Sequence, residues 1–234
     1  MNPILVALDV ESAAKAIALA DALRGSVGGF KIGKQLFTAA GPAMVRELTS
    51  RGDRVFLDLK FHDIPNTVAG AIQSAVSTGA WMINVHASGG SAMMKAAAES
   101  ARKTAEGLSR ERPLVIAVTV LTSMDTAALG EIGVTRPILD QVVHLAKLSQ
   151  ASGLDGVVAS PQEVTAIRKA CGPDFQIVTP GIRPVDQQGK DDQARTMTPA
   201  EAVQAGATYL VIGRPITGAP DPKSAAEAIL ATLP

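Results

Sequence analysis

The chain has 234 residues, of which 47% are hydrophobic and 19% charged, and its 22 Lys plus Arg balance its 22 Asp plus Glu at a formal net charge of zero. That apolar fraction at that length supplies a buried core and excludes disorder, while the balanced charge excludes the basic excess of a nucleic-acid or acidic-membrane binder. The single cysteine, Cys171, has no partner for a disulfide or a zinc cluster and reads as an inert thiol in a reducing cytosol.

The N-terminal run Met1-Asn2-Pro3-Ile4-Leu5-Val6-Ala7-Leu8-Asp9 has no basic leader or cleavage pattern, which predicts a cytoplasmic chain. It opens the first of eight Val-, Ile- and Leu-rich segments that read as strands: Ile4 to Val10, Gly29 to Lys34, Val55 to Phe61, Met82 to Ala87, Leu114 to Thr122, Gly156 to Ser160, Gln176 to Ile182 and Tyr209 to Arg214. Ala-rich stretches of helical period lie between them. Ser12 to Leu23 sets Ala16, Ile17, Ala20 and Leu23 on one stripe with Lys15 and Asp21 off it, and Ser12 is in position to cap it. Ser91 to Glu106 and Ser224 to Leu233 are two more such stretches. Ile64 to Met94 holds no Asp, Glu, Lys or Arg, yet Pro65, Asn66, Gln73, Gly79, Asn84 and Gly89-Gly90 interrupt it, so it reads as helix, turn, strand and turn, not as a membrane span. Two stretches depart from the rhythm. One is Ser123 to Arg136; the other, Arg183 to Thr198, holds Pro184, Asp186, Gln187, Gln188, Gly189, Lys190, Asp191 and Asp192 and has the composition of a mobile loop.

Eight strands at about 29 residues per unit match the strand-helix repeat and the size of a closed barrel. The predicted fold is a single α/β domain over residues 1–234, a (β/α)8 TIM barrel. A doubly wound sheet uses the same alternation, but no G-x-G-x-x-G follows the first strand to recommend it.

Chemistry in such barrels sits at the C-terminal ends of the strands. The ionisable residues there are Asp9, Lys31, Asp58, Lys60, Arg183 and Arg214, a dense set for a chain of low charge content. In Val55-Phe56-Leu57-Asp58-Leu59-Lys60-Phe61 the alternation puts Phe56, Asp58 and Lys60 on one face and four apolar side chains on the other. The apolar face packs on helices, so Asp58 and Lys60 point into the barrel, where unpaired charge is costly. An ion pair that merely satisfies itself explains one Asp and one Lys; with Asp63 just beyond and Lys31 on the adjacent strand, four charges of alternating sign favour a site.

Asp58-x-Lys60-x-x-Asp63-Ile64-Pro65-Asn66-Thr67, Ala7-Leu8-Asp9, Phe30-Lys31-Ile32-Gly33, Val120-Leu121-Thr122-Ser123, Thr179-Pro180-Gly181-Ile182-Arg183-Pro184 and Val211-Ile212-Gly213-Arg214-Pro215-Ile216-Thr217 together resemble the bacterial orotidine 5'-phosphate decarboxylases along essentially the whole chain. The resemblance implies a cofactor-free enzyme that takes CO2 from orotidine 5'-monophosphate to give UMP, the last step of de novo pyrimidine nucleotide synthesis. It makes Lys60 the proton donor to C6 of the pyrimidine, sets Asp58 beside the departing carboxylate, and completes an alternating network with Lys31 and Asp63. Asp9 and Lys31 then hold the ribose hydroxyls, and Thr122 or Ser123 contacts the base, with Pro180 also against substrate. Gly213, Arg214 and Arg183 form a phosphate clamp, Gln193 bridges phosphate and base, and Pro184 to Asp192 closes as a lid. Asp63 and Thr67 reach into the neighbouring subunit's site, which implies a homodimer.

Three histidines take blander readings: His86 as a hydrogen-bonded support, His62 as site wall or structure, His144 as surface. The nearest rival is a magnesium-dependent sugar-phosphate lyase or aldolase sharing Asp58-x-Lys60-x-x-Asp63. Its relatives carry a glutamate metal ligand where this chain has Lys31, and an ammonium repels a divalent cation. A non-catalytic phosphate-binding barrel needs the Gly213 and Arg214 clamp but has no use for the charges beside it.

Overall fold

The structure is a computed structural model that describes residues 2–183 and 196–234. Eight parallel strands close into a barrel in sequential order: β1 (Ile4–Ala7), β2 (Gly29–Gly33), β3 (Val55–Phe61), β4 (Met82–His86), β5 (Leu114–Val118), β6 (Gly156–Val158), β7 (Gln176–Thr179) and β8 (Tyr209–Ile212). Closure is made by β1 against β8, with Leu5 opposite Val211. A strand buried on both faces has no polar side, which is why Ile4-Leu5-Val6-Ala7 reads as continuous apolar sequence. The pleat still sorts it. Leu5 and Ala7 turn inward with Phe56, Met82, Ile116, Val178, Tyr209 and Val211, and Ile4, Val6 and Leu8 turn outward onto the helices.

The strand starts agree with the apolar runs, but most of the expected ends overshoot. Leu8 donates its N–H to the Lys31 carbonyl (3.0 Å), and Thr119 reaches the Val158 carbonyl through both N–H (3.2 Å) and Oγ1 (3.0 Å), yet neither continues a ladder. The residues that follow turn away as the loops that line the mouth.

Helix Ala13–Leu23 begins at Ser12, whose Oγ accepts the Lys15 N–H, as the capping pattern predicts. Lys34, expected as the last residue of a strand, opens helix Lys34–Ser50, which breaks at Gly41 (φ 65) before Pro42. Helix Pro65–Val76 packs on Gly90–Gly107, where Ser100 Oγ donates to the Ala69 carbonyl at 2.7 Å. Ser123 to Arg136 is less irregular than its composition suggests, because Asp125 accepts the Ala128 N–H (2.8 Å) and caps helix Thr126–Glu131. The last helix is Pro222–Ala231, two residues earlier than expected; Asp221 caps it by accepting the Lys223 and Ser224 N–H groups. Among the described residues no helix is long and apolar enough to cross a membrane.

Aromatic and charged side chains pair at the N-terminal end of the barrel. Trp81 meets Tyr209 edge to face at 5.2 Å, and the Arg54 guanidinium lies over the Trp81 ring at 5.2 Å. Nearby, Arg112 grips Asp155 through two bonds (2.9 and 2.6 Å), and Asp155 also accepts the Val115 N–H at 2.7 Å.

Candidate active site

At the opposite end, the strand termini surround a cavity of about 450 Å³ lined by Asp9, Lys31, Asp58, Lys60, Thr122, Pro180, Arg183, Gly213 and Arg214, with Phe56, Val120, Leu121 and Val158 among its apolar walls. Neighbouring strands put Ala7 opposite Lys31, Lys31 opposite Phe56 and Gly33 opposite Asp58, which brings the charged residues of β1 to β3 together.

These charges form a line. Asp9 Oδ1 lies 3.0 Å from Lys31 Nζ, Lys31 Nζ is 3.5 Å from Asp58 Oδ2, and Asp58 Oδ1 accepts from Lys60 Nζ at 2.6 Å. Lys31 and Asp58 are 7% and 9% exposed, so each charge is removed from water and needs the alternation to be tolerated. Gly33 leaves room for the outer pair: a Cβ there would stand 2.8 Å from Lys31 Nζ and 3.1 Å from Asp9 Oδ1.

The alternation that predicts an inward Lys60 is modified by a bulge. The β3–β4 register shifts between Leu57 and Phe61, and Lys60 has φ 56. Its backbone N–H donates to Asn84 Oδ1 (2.8 Å) and Asn84 Nδ2 donates to Asp58 Oδ1 (2.7 Å). Asn84 is fully buried. Sequence reasoning left it without a role; the available signal was an amide between Ile83 and Val85 in a strand otherwise apolar up to His86.

The fourth charge is not the one expected from spacing alone. β3 ends at Phe61, and Asp63 lies beyond it on the exposed connection to helix Pro65–Val76, its Oδ1 accepting the Ile64 N–H at 2.6 Å. Asp9 fills that place within the chain. Thr67 is also exposed and, with Asp63, lies outside the cavity lining. Of the pair after β5, Thr122 lines the cavity whereas Ser123 is exposed and does not. Arg183 is buried, and its N–H donates to the Met197 carbonyl at 3.1 Å. Gln193 and the Pro184 to Asp192 stretch lie outside the described residues.

His86, at the end of β4, faces the His62 ring at 5.5 Å. Burial, then electrostatic repulsion from His62, Lys60 and Lys34, push its imidazole down to about 4, so it is neutral near pH 7. His144 is exposed on helix Ile138–Ala151. Cys171 is buried and free, and burial pushes its thiol up, away from the reactive thiolate. Among the described residues no group of three or more His, Cys, Asp or Glu is placed to hold a metal ion.

A closed parallel barrel with a charged cavity at the carboxyl ends of its strands defines the class: this is a (β/α)8 barrel enzyme. Residues 2–229 match the model of the "Orotidine 5'-phosphate decarboxylase / HUMPS family". The chain is 58% identical over 233 residues to the orotidine 5'-phosphate decarboxylase of Moorella thermoacetica, covering 99% of this chain and 92% of that one. It is 53% identical over 233 residues to that of Paramagnetospirillum magneticum, covering 100% and 99%. The crystal structure of orotidine 5'-phosphate decarboxylase from Lactobacillus acidophilus superposes with a TM-score of 0.87 at 38% identity, covering 99% of each chain. The chain belongs to the orotidine 5'-phosphate decarboxylase / HUMPS family, and its enzyme class is that of the carbon–carbon lyases.

Proposed function

We propose that this chain decarboxylates orotidine 5'-monophosphate to UMP without a cofactor, as the last step of pyrimidine nucleotide synthesis in the cytoplasm, with Lys60 as proton donor. The observation that carries the reading is the Asp58–Lys60 contact of 2.6 Å at the mouth of a family barrel, with Lys31 on the other Asp58 oxygen. When the bond from C6 to the carboxylate breaks, the electron pair stays on C6 and CO2 departs. An ammonium beside C6 attracts that developing charge and then transfers its proton to the same carbon; the resulting amine is reprotonated from solvent. Such stabilisation grows toward the transition state.

Repulsion of the substrate carboxylate by Asp58 is a smaller effect. Two unit charges about 4 Å apart interact by roughly 4 kcal/mol at an effective dielectric near 20, against the ~8 to 23 kcal/mol by which enzymes lower barriers. Asp58 serves chiefly to hold the Lys60 and Lys31 side chains at fixed points. Arg214, the Gly213 backbone and Arg183 grip the phosphate, Asp9 with Lys31 holds the ribose, and Pro180 lies against the substrate. Thr122 contacts the base, a choice over Ser123 favoured by its position in the cavity lining. Exposure of Asp63 and Thr67 favours their use by the neighbouring copy of a homodimer, and the family pattern gives Gln193 the bridge between phosphate and base.

Loss of orotate-ring absorbance on mixing purified protein with orotidine 5'-monophosphate tests the reading. Turnover that survives exhaustive chelation is expected. Turnover that vanishes and returns with Mg2+ favours the metal-dependent rival instead, and no absorbance change under any condition refutes the decarboxylase.

A further inference from the structure

The side chain of Asn84 joins two groups that belong to different parts of β3. Its Nδ2 donates to Asp58 Oδ1 at 2.7 Å, and its Oδ1 accepts the Lys60 backbone N–H at 2.8 Å. Those two partners fix the orientation of the amide, because the flipped amide would set its NH2 against a backbone N–H and its carbonyl against a carboxylate. Lys60 stands there in a left-handed conformation, φ 56, within the break of the β3–β4 register. An L residue with a long side chain enters that region only where its surroundings hold it.

In an unbroken parallel ladder a strand N–H bonds to a backbone carbonyl of its neighbour. At Lys60 a side-chain carbonyl from β4 takes that place. The substitution lets the backbone leave the pleat, and the bulged strand delivers Lys60 Nζ to Asp58 Oδ1 at 2.6 Å. The same amide supplies Asp58 Oδ1 with a second donor, which fixes the rotation of the carboxylate against which Lys60 rests. The site therefore requires a neutral group with a donor and an acceptor a fixed distance apart. Aspartate has no donor when ionised, glutamine is longer by a methylene, and alanine offers neither bond. Asn84 is completely buried, so water does not substitute for either partner.

We propose that Asn84 is a positioning residue for the reaction, one amide fixing both the Asp58 carboxylate and the turned backbone of Lys60. It touches no reacting atom and acts through its two partners. The inference rests on Lys60 being the proton donor.

The test uses Asn84→Ala and Asn84→Asp beside the intact enzyme. Three quantities are measured: kcat and KM for orotidine 5'-monophosphate, the Kd of UMP, and the Kd of a UMP analogue bearing an anionic oxygen at C6. A displaced ammonium lowers kcat by about 100-fold, leaves KM and the UMP Kd within about threefold, and weakens the C6-anionic analogue nearly as much as kcat. Wild-type kcat in either folded variant overturns the proposal. Equal weakening of UMP and the anionic analogue also overturns it, since that is the mark of a general loss of structure. Should neither variant fold, amide hydrogen exchange on the wild-type protein decides. A Lys60 N–H held by Asn84 exchanges far more slowly than an unprotected amide, and unprotected exchange refutes the pin. That measurement is independent of turnover, so an inactive wild-type enzyme would sink the decarboxylase reading without touching the pin.

Discussion

Lys60 and His86 lie on adjacent strands and answer to opposite demands on charge. The ammonium of Lys60 is set 2.6 Å from a carboxylate, and on the proposed mechanism it is both the electrostatic stabiliser and the proton source. Lys60→Ala removes both functions, so turnover of orotidine 5'-monophosphate is expected to fall by at least ~1,000-fold in the absorbance assay; near-normal turnover would overturn the assignment. His86 is kept neutral, at about 4 in the folded chain against its ordinary 6.5. Between those values the unfolded chain binds more protons than the folded one, so stability falls as pH drops from 6.5 toward 4. His86→Gln should flatten that part of the profile when Tm is followed across it, and an unchanged slope would show that the imidazole does not set it.

At the scale of the elements, the site depends on where strands stop and on what they leave out. Gly33, opposite Asp58 at the end of β2, has an extended backbone (φ -93, ψ -177) that any residue accepts. What an alanine there would disturb is the Lys31–Asp9 pair, whose ends occupy the space of the missing Cβ. Gly33→Ala is therefore expected to leave Tm nearly unchanged while raising KM by ~10-fold, the split expected when a binding pair is displaced on an intact scaffold. A large drop in Tm would mean that the barrel itself needs the glycine. The eight strands and their starts were legible because an apolar run flanked by turn residues is a local signal. Most of their ends were not, although that of β3 at Phe61 was, since residues such as Leu8 and Thr119 have the composition of strand residues and only the finished barrel determines where pairing stops. The role of Asn84 was hidden for a related reason. It depends on the bulge at Lys60, and a bulge shifts register without leaving a mark in the alternation of Phe56, Asp58 and Lys60.

For the whole molecule, the alternating charges run along Asp9, Lys31, Asp58 and Lys60, while Asp63 stands exposed on the loop that follows β3 and Thr67 in the first turn of helix Pro65–Val76. If a second copy receives that loop, chains carrying Lys60→Ala and chains carrying Asp63→Ala should each be inactive alone. After subunit exchange, the mixture should regain activity at the one intact site of each heterodimer, with recovery approaching a quarter of wild-type turnover per total site (about half of the chains in heterodimers, one site in two). No recovery despite proven exchange would refute donation across the interface. The spacing of Asp58, Lys60 and Asp63 made their alternating charges legible but not which cavity each serves, because the three lie close in sequence whether or not they meet in the same cavity.

Arg54, Trp81 and Tyr209 pack on one another at the end of the barrel away from the charged cavity. On the proposed assignment, with Lys31 buried and Arg214 exposed, a nucleotide would enter ring first and phosphate last, and the heavier product would withdraw in the reverse order. On that reading, traffic through the mouth, as well as the bond-breaking step, answers to the residues that surround the entrance.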